Sequence, residues 1–332
     1  MKNSKIVGLG HHVPDTVITN EYLTNLIDTT DEWIVERTGI KERRYIDPTK
    51  DTVANMAAKA TRMALERAGL TEKDIEFIVF ATITPDYFFP GSGVLLQREL
   101  GLEGIGALDI RNACSGFIYA LSVADQYIKA GTYKTILVIG AEIQSTALDL
   151  TTRGRNTAVI FGDGAGAAIL QAADKPGILS THLHADGRYA EELYVKDPGS
   201  SRPHKERQPE QILDTSSFKV FMNGNQVFKH AVVRFMEVIN EALEANKLKK
   251  EDISLLVPHQ ANLRISQFIQ NKLELTDDQV YNNIMRFGNT TAASIPIAMS
   301  EAFGEGKIKE NDLVCLAAFG SGFTWASSLI RW

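Results

Sequence analysis

A cysteine in Asn-Ala-Cys-Ser-Gly-Phe, a histidine in Pro-His-Gln-Ala-Asn and an asparagine in Gly-Asn-Thr-Thr-Ala-Ala are the residues of this chain best set to do chemistry. Cys114 stands between a short strand pattern and a mostly apolar helix pattern. The start of a helix offers unpaired N–H groups and a positive dipole end. A thiol there is expected to ionise more easily and to act as a nucleophile near neutral pH. Gly116 permits close approach of backbone or ligand. Taken alone, Cys114 reads more readily as a small buried core residue, and Cys315, inside the apolar run Leu-Val-Cys-Leu-Ala-Ala, does so more strongly. His259 follows the strand pattern ISLLV. It therefore stands at a strand's C-terminal end, where α/β folds bind ligands. Pro258 restrains the backbone there. Asn289 lies in a Gly-led turn into a small-residue helix.

Strands and helices must bring these three together, and the pattern supplies them. Residues 53–68 carry a helical apolar period that ends at Gly69. Residues 76–84 (EFIVFATIT) predict a buried strand, 94–100 a helix and 105–110 a short strand. Residues 114–130 predict a helix stopped by Gly131, and 134–141 another buried strand. Buried strands alternating with helices argue for an α/β fold.

The second half repeats this programme. Leu65-Glu66, Leu70 and Asp74-Ile75 recur as Leu243-Glu244, Leu248 and Asp252-Ile253, all at one constant offset. Phe161-Gly162-x-Gly164 recurs as Phe319-Gly320-x-Gly322, at a shorter offset. Two echoes in one order favour a duplicated unit with segments of unequal length between the matched parts. The expected division is residues 1–175, carrying the cysteine, and 176–332, carrying the histidine and asparagine. The separation of Cys114 from Asn289 is close to the longer offset, so they are expected at equivalent places of the two halves. The charged, proline-containing stretch 186–217 predicts a long surface excursion. It reads as a tolerated insertion or as an entrance or dimer-contact loop.

Composition sets the outer bounds. The chain has 332 residues, 44 % of them hydrophobic and 23 % charged. At roughly 150 residues per domain this means two units or one large duplicated one. Its 35 basic and 41 acidic residues give a net charge of −6, a poor basis for general nucleic-acid binding. No apolar run reaches membrane-spanning length, and no signal-peptide core forms at the start. A cytoplasmic protein is expected, with neither membrane nor nucleic acid as partner. The two cysteines make neither a disulfide framework nor a CxxC metal motif, and the adjacent His11 and His12 are not spaced as metal ligands. No metal is expected. The glycines of Phe161-Gly-Asp-Gly-Ala-Gly lack a following Lys-Ser/Thr, so they are not a Walker loop.

The chain closely resembles the β-ketoacyl-acyl-carrier-protein synthases III, thiolase-fold ketosynthases that start fatty-acid synthesis. The resemblance runs from Val7-Gly8-Leu9-Gly10 to the last residue. It rests on Asp31-Glu-Trp-Ile-Val-Glu-Arg-Thr-Gly-Ile40, Ala113-Cys-Ser-Gly-Phe117 and Phe161-Gly-Asp-Gly-Ala-Gly-Ala167. It rests equally on Pro258-His-Gln-Ala-Asn-Leu-Arg264, Gly288-Asn-Thr-Thr-Ala-Ala-Ser294 and Ala318-Phe-Gly-Ser-Gly-Phe-Thr-Trp325. It implies two duplicated α/β halves stacked in five layers, αβαβα.

It further implies an acyltransferase that condenses an acyl-CoA primer with malonyl-acyl-carrier protein, with loss of carbon dioxide. By resemblance Cys114 takes the acyl group, His259 and Asn289 stabilise the enolate, and the backbone N–H groups of Cys114 and Ser321 hold the oxyanion. The resemblance places the CoA adenine on Trp33, sandwiched by Arg155. It assigns Arg37 and Arg264 to CoA phosphates or the pantetheine entrance, and Asn225 and Asn262 to the tunnel. Lys229, Arg264 and Lys272 match a basic rim for the acidic carrier protein. Phe89 matches a residue that caps the partner's acyl pocket in a homodimer. No cofactor beyond the CoA thioester is implied.

Three departures surround the acyl pocket or its entrance: Ser321 where many relatives carry glycine, Arg111-Asn112 before the cysteine, and the long 186–217 stretch. They leave open a specialised homologue that condenses or transfers longer or unusual acyl groups in a secondary-metabolite pathway. A non-catalytic partner subunit is a third reading, opposed by the presence of Cys114, His259 and Asn289.

Overall fold

The computed structural model describes residues 2–200 and 218–332. Two main sheets are assembled alike. In the first the order is Asn3–His12, Gly164–Ala173, Thr135–Glu142, Phe77–Ala81, Gly106–Ile110. In the second it is Ile178–Ala185, Thr324–Arg331, Leu313–Gly320, Leu255–Pro258. In each sheet the first two neighbouring pairs are antiparallel and the next is parallel. The fifth strand of the first sheet has only a trace in the second, a parallel bridge between Leu256 and Val280. The shortened offset of the second echo also has its cause here. Residues 143–163 separate the last two strands of the first half, whereas 321–323 suffice in the second.

Alternation along the strands builds the layers, because successive side chains point to opposite faces. Phe77, Val79, Ala81, Val314, Leu316 and Ala318 pack inward on helices Gly116–Ala130 and Ser294–Gly304. Ile78 and Phe80 face helix Val53–Ala68 on one outside. Cys315, Ala317 and Phe319 face helices Gly224–Ala245 and Leu263–Leu273 on the other. The result is the expected αβαβα sandwich, and Cys315 is a core residue of its outer layer.

Local sequence explains the element ends. Helix Val53–Ala68 starts with a Thr52–Asn55 capping box and stops at Gly69 in the left-handed region. The strand expected over 76–84 ends early, at Ala81. Thr82, Ile83 and Thr84 turn away because they donate hydrogen bonds to the buried carboxylate of Glu142. The helix expected from residue 114 begins at Gly116, after a tight turn over Ala113–Ser115.

Of the 186–217 stretch, residues 201–217 lie outside the described residues. In the remainder Leu193–Tyr194 pairs with Phe221–Met222.

Candidate active site

Two matching elbows meet between the sheets. Ala113-Cys114-Ser115 leads into helix Gly116–Ala130, and Thr291-Ala292-Ala293 leads into helix Ser294–Gly304. Ala113 and Thr291 are separated by the constant offset of the repeat, and both hold a positive φ, 45° and 52°. For residues with a Cβ this conformation costs about 1–3 kcal/mol, and the surrounding packing must enforce it. A methyl added at Gly116 would touch the Ala292 methyl at 3.5 Å, so the two elbows lie back to back. This corrects one expectation. The counterpart of Cys114 is Ala292, and Asn289 stands slightly before it in the chain.

Cys114 is buried. Its Sγ packs against Gly320, the last residue of strand Leu313–Gly320. The N–H groups of Cys114 and Ser321 face the sulfur and favour its ionised form. Burial outweighs them, together with the nearby Glu142 charge, and pushes the thiol up to about 12. The expectation of a lowered pKa is therefore reversed: the helix starts only at Gly116, and the apolar surroundings dominate. Ser321 is fixed by its own hydroxyl, which donates to the Leu193 carbonyl.

A methyl at Gly320 would lie 2.6 Å from Cys114 Cβ and 3.1 Å from its nitrogen. Gly320→Ala should therefore destabilise the protein by about 1–3 kcal/mol through overpacking. A thermal melt checks this, and an unchanged Tm would mean that the elbow is not held as tightly as described.

His259 follows strand Leu255–Pro258, and its N–H donates to Ala317 of the neighbouring strand. Its ring is buried, and burial lowers its pKa to about 3, so it is a neutral imidazole. Nδ1 lies 2.7 Å from Ser294 Oγ. That oxygen accepts the Gln260 N–H at 3.4 Å, leaving the hydroxyl proton for Nδ1. The partners are all satisfied when the ring proton sits on Nε2. Nε2 is buried and has no hydrogen-bond partner among the described residues. Such an orphan is a donor held ready for a guest.

Asn289 is similarly prepared. Its Oδ1 accepts the Thr291 N–H at 2.8 Å, which leaves Nδ2 as the end free to donate. Its backbone is pinned on both sides, by Ile160 and Gly162.

A cavity of about 900 Å³ reaches Cys114. Ser321, Thr291, Gln144 and Phe161 line it, and Leu193–Gly199 of the 186–217 stretch forms one wall. Phe88 lines it too, whereas Phe89 is 80 % exposed and does not touch the cavity of its own chain.

The other expected residues do not line this cavity. Trp33 has guanidinium groups over its ring from Arg37 at 4.6 Å and Arg155 at 4.8 Å. A planar guest between Trp33 and Arg155 needs about 7 Å, two contacts of about 3.5 Å. In this conformation Arg155 thus stacks on Trp33 directly and donates to Asp28 O. Asn262 caps helix Leu263–Leu273 and donates to Arg37 O, so both ends of its amide are engaged. Asn225 is exposed in the first turn of helix Gly224–Ala245. Arg264 lies over Phe228, next to exposed Lys229. Lys272 is exposed at the far end of the same helix as Arg264.

Sequence reading missed Gly320 as the seat of Cys114, Ser294 as the partner of His259, and Glu142 and Gln144 beside the second elbow. Gly320 and Ser294 lay inside the motifs already quoted. The signal for Glu142 was an acid ending the apolar run Ile-Leu-Val-Ile-Gly-Ala-Glu.

Known proteins resemble this chain throughout. Family models for 3-oxoacyl-[acyl-carrier-protein] synthase III match residues 108–187, and for its C-terminal part residues 243–332. The β-ketoacyl-[acyl-carrier-protein] synthase III of Alkalilimnicola ehrlichii is 47 % identical over 100 % of both chains. That of Escherichia coli K12 is 46 % identical over 99 % of both. The crystal structure of the Aquifex aeolicus 3-oxoacyl-[acyl-carrier-protein] synthase III superposes with a TM-score of 0.91 at 42 % identity, covering 99 % of this chain and 100 % of that one. With this identity over its whole length and this superposition, the chain belongs to the 3-oxoacyl-[acyl-carrier-protein] synthase III family.

Proposed function

We propose that this protein joins an acyl-CoA primer to malonyl-acyl-carrier protein by decarboxylative condensation, the step that initiates fatty-acid synthesis. The observation that carries the reading is the pair of backbone N–H groups, from Cys114 and Ser321, facing Cys114 Sγ in a chain of this family.

Cys114 Sγ attacks the acyl-CoA carbonyl. The two N–H groups take up the oxyanion, and CoA leaves as a thiol with the proton that Cys114 gave up. Fixed donors in a water-poor site contribute about 3 kcal/mol each. Malonyl-acyl-carrier protein then loses carbon dioxide, and the electron pair of the broken C–C bond becomes a thioester enolate. His259 Nε2–H and Asn289 Nδ2–H donate to its oxygen. Donors of this kind help because the bond strengthens as charge develops. A neutral imidazole and an amide suit the task, since neither must change protonation state. The enolate carbon attacks the acyl group, and Cys114 sulfur leaves as the thiolate and takes up one proton from solvent, which restores the thiol. The departing carboxylate supplies the carbanion, so these steps call on no cofactor beyond the CoA thioester. Among the described residues no three His, Cys, Asp or Glu side chains are grouped to hold a metal.

Around this centre, Trp33 and Arg155 part to admit the adenine, with Arg37, Arg264, Asn225 and Asn262 along the path to the cysteine. The two halves, 1–175 and 176–332, each contribute one elbow. The working form is a homodimer. Strand Gly106–Ile110 is a sheet edge with Leu108 exposed, and a second copy covers it and brings Phe89 to its neighbour's pocket. No helix among the described residues is long and apolar enough to cross a membrane. We assign the protein to the cytoplasm, where its two thioester substrates are made.

The test is product formation. Wild type, an acyl-CoA series and malonyl-acyl-carrier protein should give β-ketoacyl-carrier protein with release of CoA and carbon dioxide, and Cys114→Ser should not. Carbon dioxide release without any condensed product would refute the reading.

Lys229 and Arg264, joined through Phe228, are the centre of the carrier-protein rim. Lys229→Glu should raise KM for malonyl-acyl-carrier protein about three- to tenfold at low salt, with the gap closing as salt screens it. Acylation by acyl-CoA should be unchanged. A salt-independent defect would place the carrier elsewhere.

A further inference from the structure

The second elbow carries no nucleophile, yet it is gripped as firmly as the first. Gly140 and Glu142, at alternate positions of strand Thr135–Glu142, face it, and the side chain of Gln144 reaches it from just beyond the strand end. Gly140 lies against Ala292, whose carbonyl oxygen a methyl there would meet at 2.3 Å. Gln144 Nε2 donates to Thr291 Oγ1 at 2.7 Å. Glu142 sits between them, fully buried, and the Ala292 N–H faces its carboxylate.

The duplication explains what Glu142 is. Strands Thr135–Glu142 and Leu313–Gly320 are equivalent, and their last residues, Glu142 and Gly320, again stand at the constant offset of the repeat. Gly320 ends its strand against the Cys114 elbow and leaves room for sulfur and acyl oxygen. Glu142 ends its strand against the Ala292 elbow and fills the matching room with its own carboxylate. The N–H of Ala292, counterpart of the Cys114 N–H, faces the Glu142 carboxyl group.

Four donors from residues 82–84 surround that carboxyl group. It accepts from Thr84 Oγ1 at 2.5 Å, Thr84 N at 3.1 Å, Thr82 Oγ1 at 3.2 Å and Ile83 N at 3.2 Å. No cation pairs with it in any hydrogen bond or ion pair of the described residues. Cys114 is the titratable group it acts on through space, and burial raises the Glu142 acid to about 7.

The consequence runs through Thr291. Glu142 and Gln144 hold the strained turn at Thr291-Ala292, and the Thr291 N–H holds Asn289 Oδ1. We propose that Glu142 is a positioning residue for Asn289: its carboxyl group holds the Ala292 N–H and, with Gln144, sets the Thr291 turn that aims the Asn289 amide. This rests on the reading of Asn289 as a donor to the enolate.

Two half-reactions separate a positioning role from a merely structural one. Acylation of Cys114 by acyl-CoA uses the first elbow, which Glu142 reaches only through space. Discharge of the acyl-enzyme by malonyl-acyl-carrier protein uses Asn289. Glu142→Gln keeps the shape but presents an amide N–H₂ to a ring of donors. Its discharge rate should fall about 100-fold, as expected for a catalytic group displaced by about 1 Å, with acylation within about threefold of wild type. Gln144→Leu removes the second arm and keeps the carboxylate; it also alters the cavity wall, so both rates fall, but discharge should fall about tenfold more than acylation. It also serves if Glu142→Gln does not fold. Equal loss of both rates in the folded variants, or no loss in either, overturns the proposal. A wild-type chain that neither acylates nor discharges removes the reading of function and the proposal with it.

Discussion

Cys114→Ala should lower condensation by about 10⁶-fold, the scale seen when a covalent nucleophile is removed from a cooperating site. The size follows from what the thiol does alone. Its replacement leaves the Cys114 and Ser321 N–H groups in place, but no atom to accept the acyl group. Fold and stability should change little, because alanine fits the space and the elbow backbone is held by its neighbours. The same geometry makes a second, less obvious demand. Burial holds the thiol up at about 12, so Cys114 should react slowly with iodoacetamide at neutral pH and faster as pH rises towards that value. Fast alkylation at pH 7 would mean that the thiolate is stabilised by something other than the two N–H groups.

His259→Ala should lower discharge of the acyl-enzyme by about 10²–10³-fold and leave acylation of Cys114 within about tenfold. The ring is kept neutral and its Nε2 has no partner among the described residues, so on the proposed function removing it deletes one bond to the enolate. Asn289→Ala should act on the same step by a similar factor, and if both donate to one oxygen, as proposed, the double variant should lose less than the product of the two. Stability carries an independent check. His259 titrates near 6.5 when unfolded and about 3 when folded. Between those values the unfolded chain binds the extra proton, so wild type should lose stability as pH falls from 6.5 towards 3. His259→Gln should lack that part of the loss. Chemical denaturation at pH 5 and pH 7.5 reads the difference.

The duplication was legible because its signals are local. Leu65-Glu66 and Asp74-Ile75 end a helix and begin a strand, and sequence repeats show such punctuation directly. The strand over 76–84 was legible except for its end. That end is set by hydrogen bonds to Glu142, far along the chain, which no local pattern contains. The elbow pairing escaped for a different reason. The constant offset leads from Cys114 to Ala292, but Ala292 carries no reactive group, so residue chemistry drew the pairing to nearby Asn289; the positive φ shared by Ala113 and Thr291 identifies the true counterparts. The direction of the thiol's pKa was not legible because helix position can be read from sequence while burial cannot. The Trp33–Arg155 stack and the engaged amide of Asn262 are products of tertiary packing alone.

The proposed function requires that Cys114 carry the acyl group between two substrates. Intact-protein mass spectrometry tests it in one sequence of additions. Incubation with an acyl-CoA should add one acyl mass to wild type and none to Cys114→Ser, and malonyl-acyl-carrier protein should then return the protein to its starting mass with a β-ketoacyl-carrier protein as product. An adduct that persists in Cys114→Ser, or one that malonyl-acyl-carrier protein leaves in place, would contradict the account.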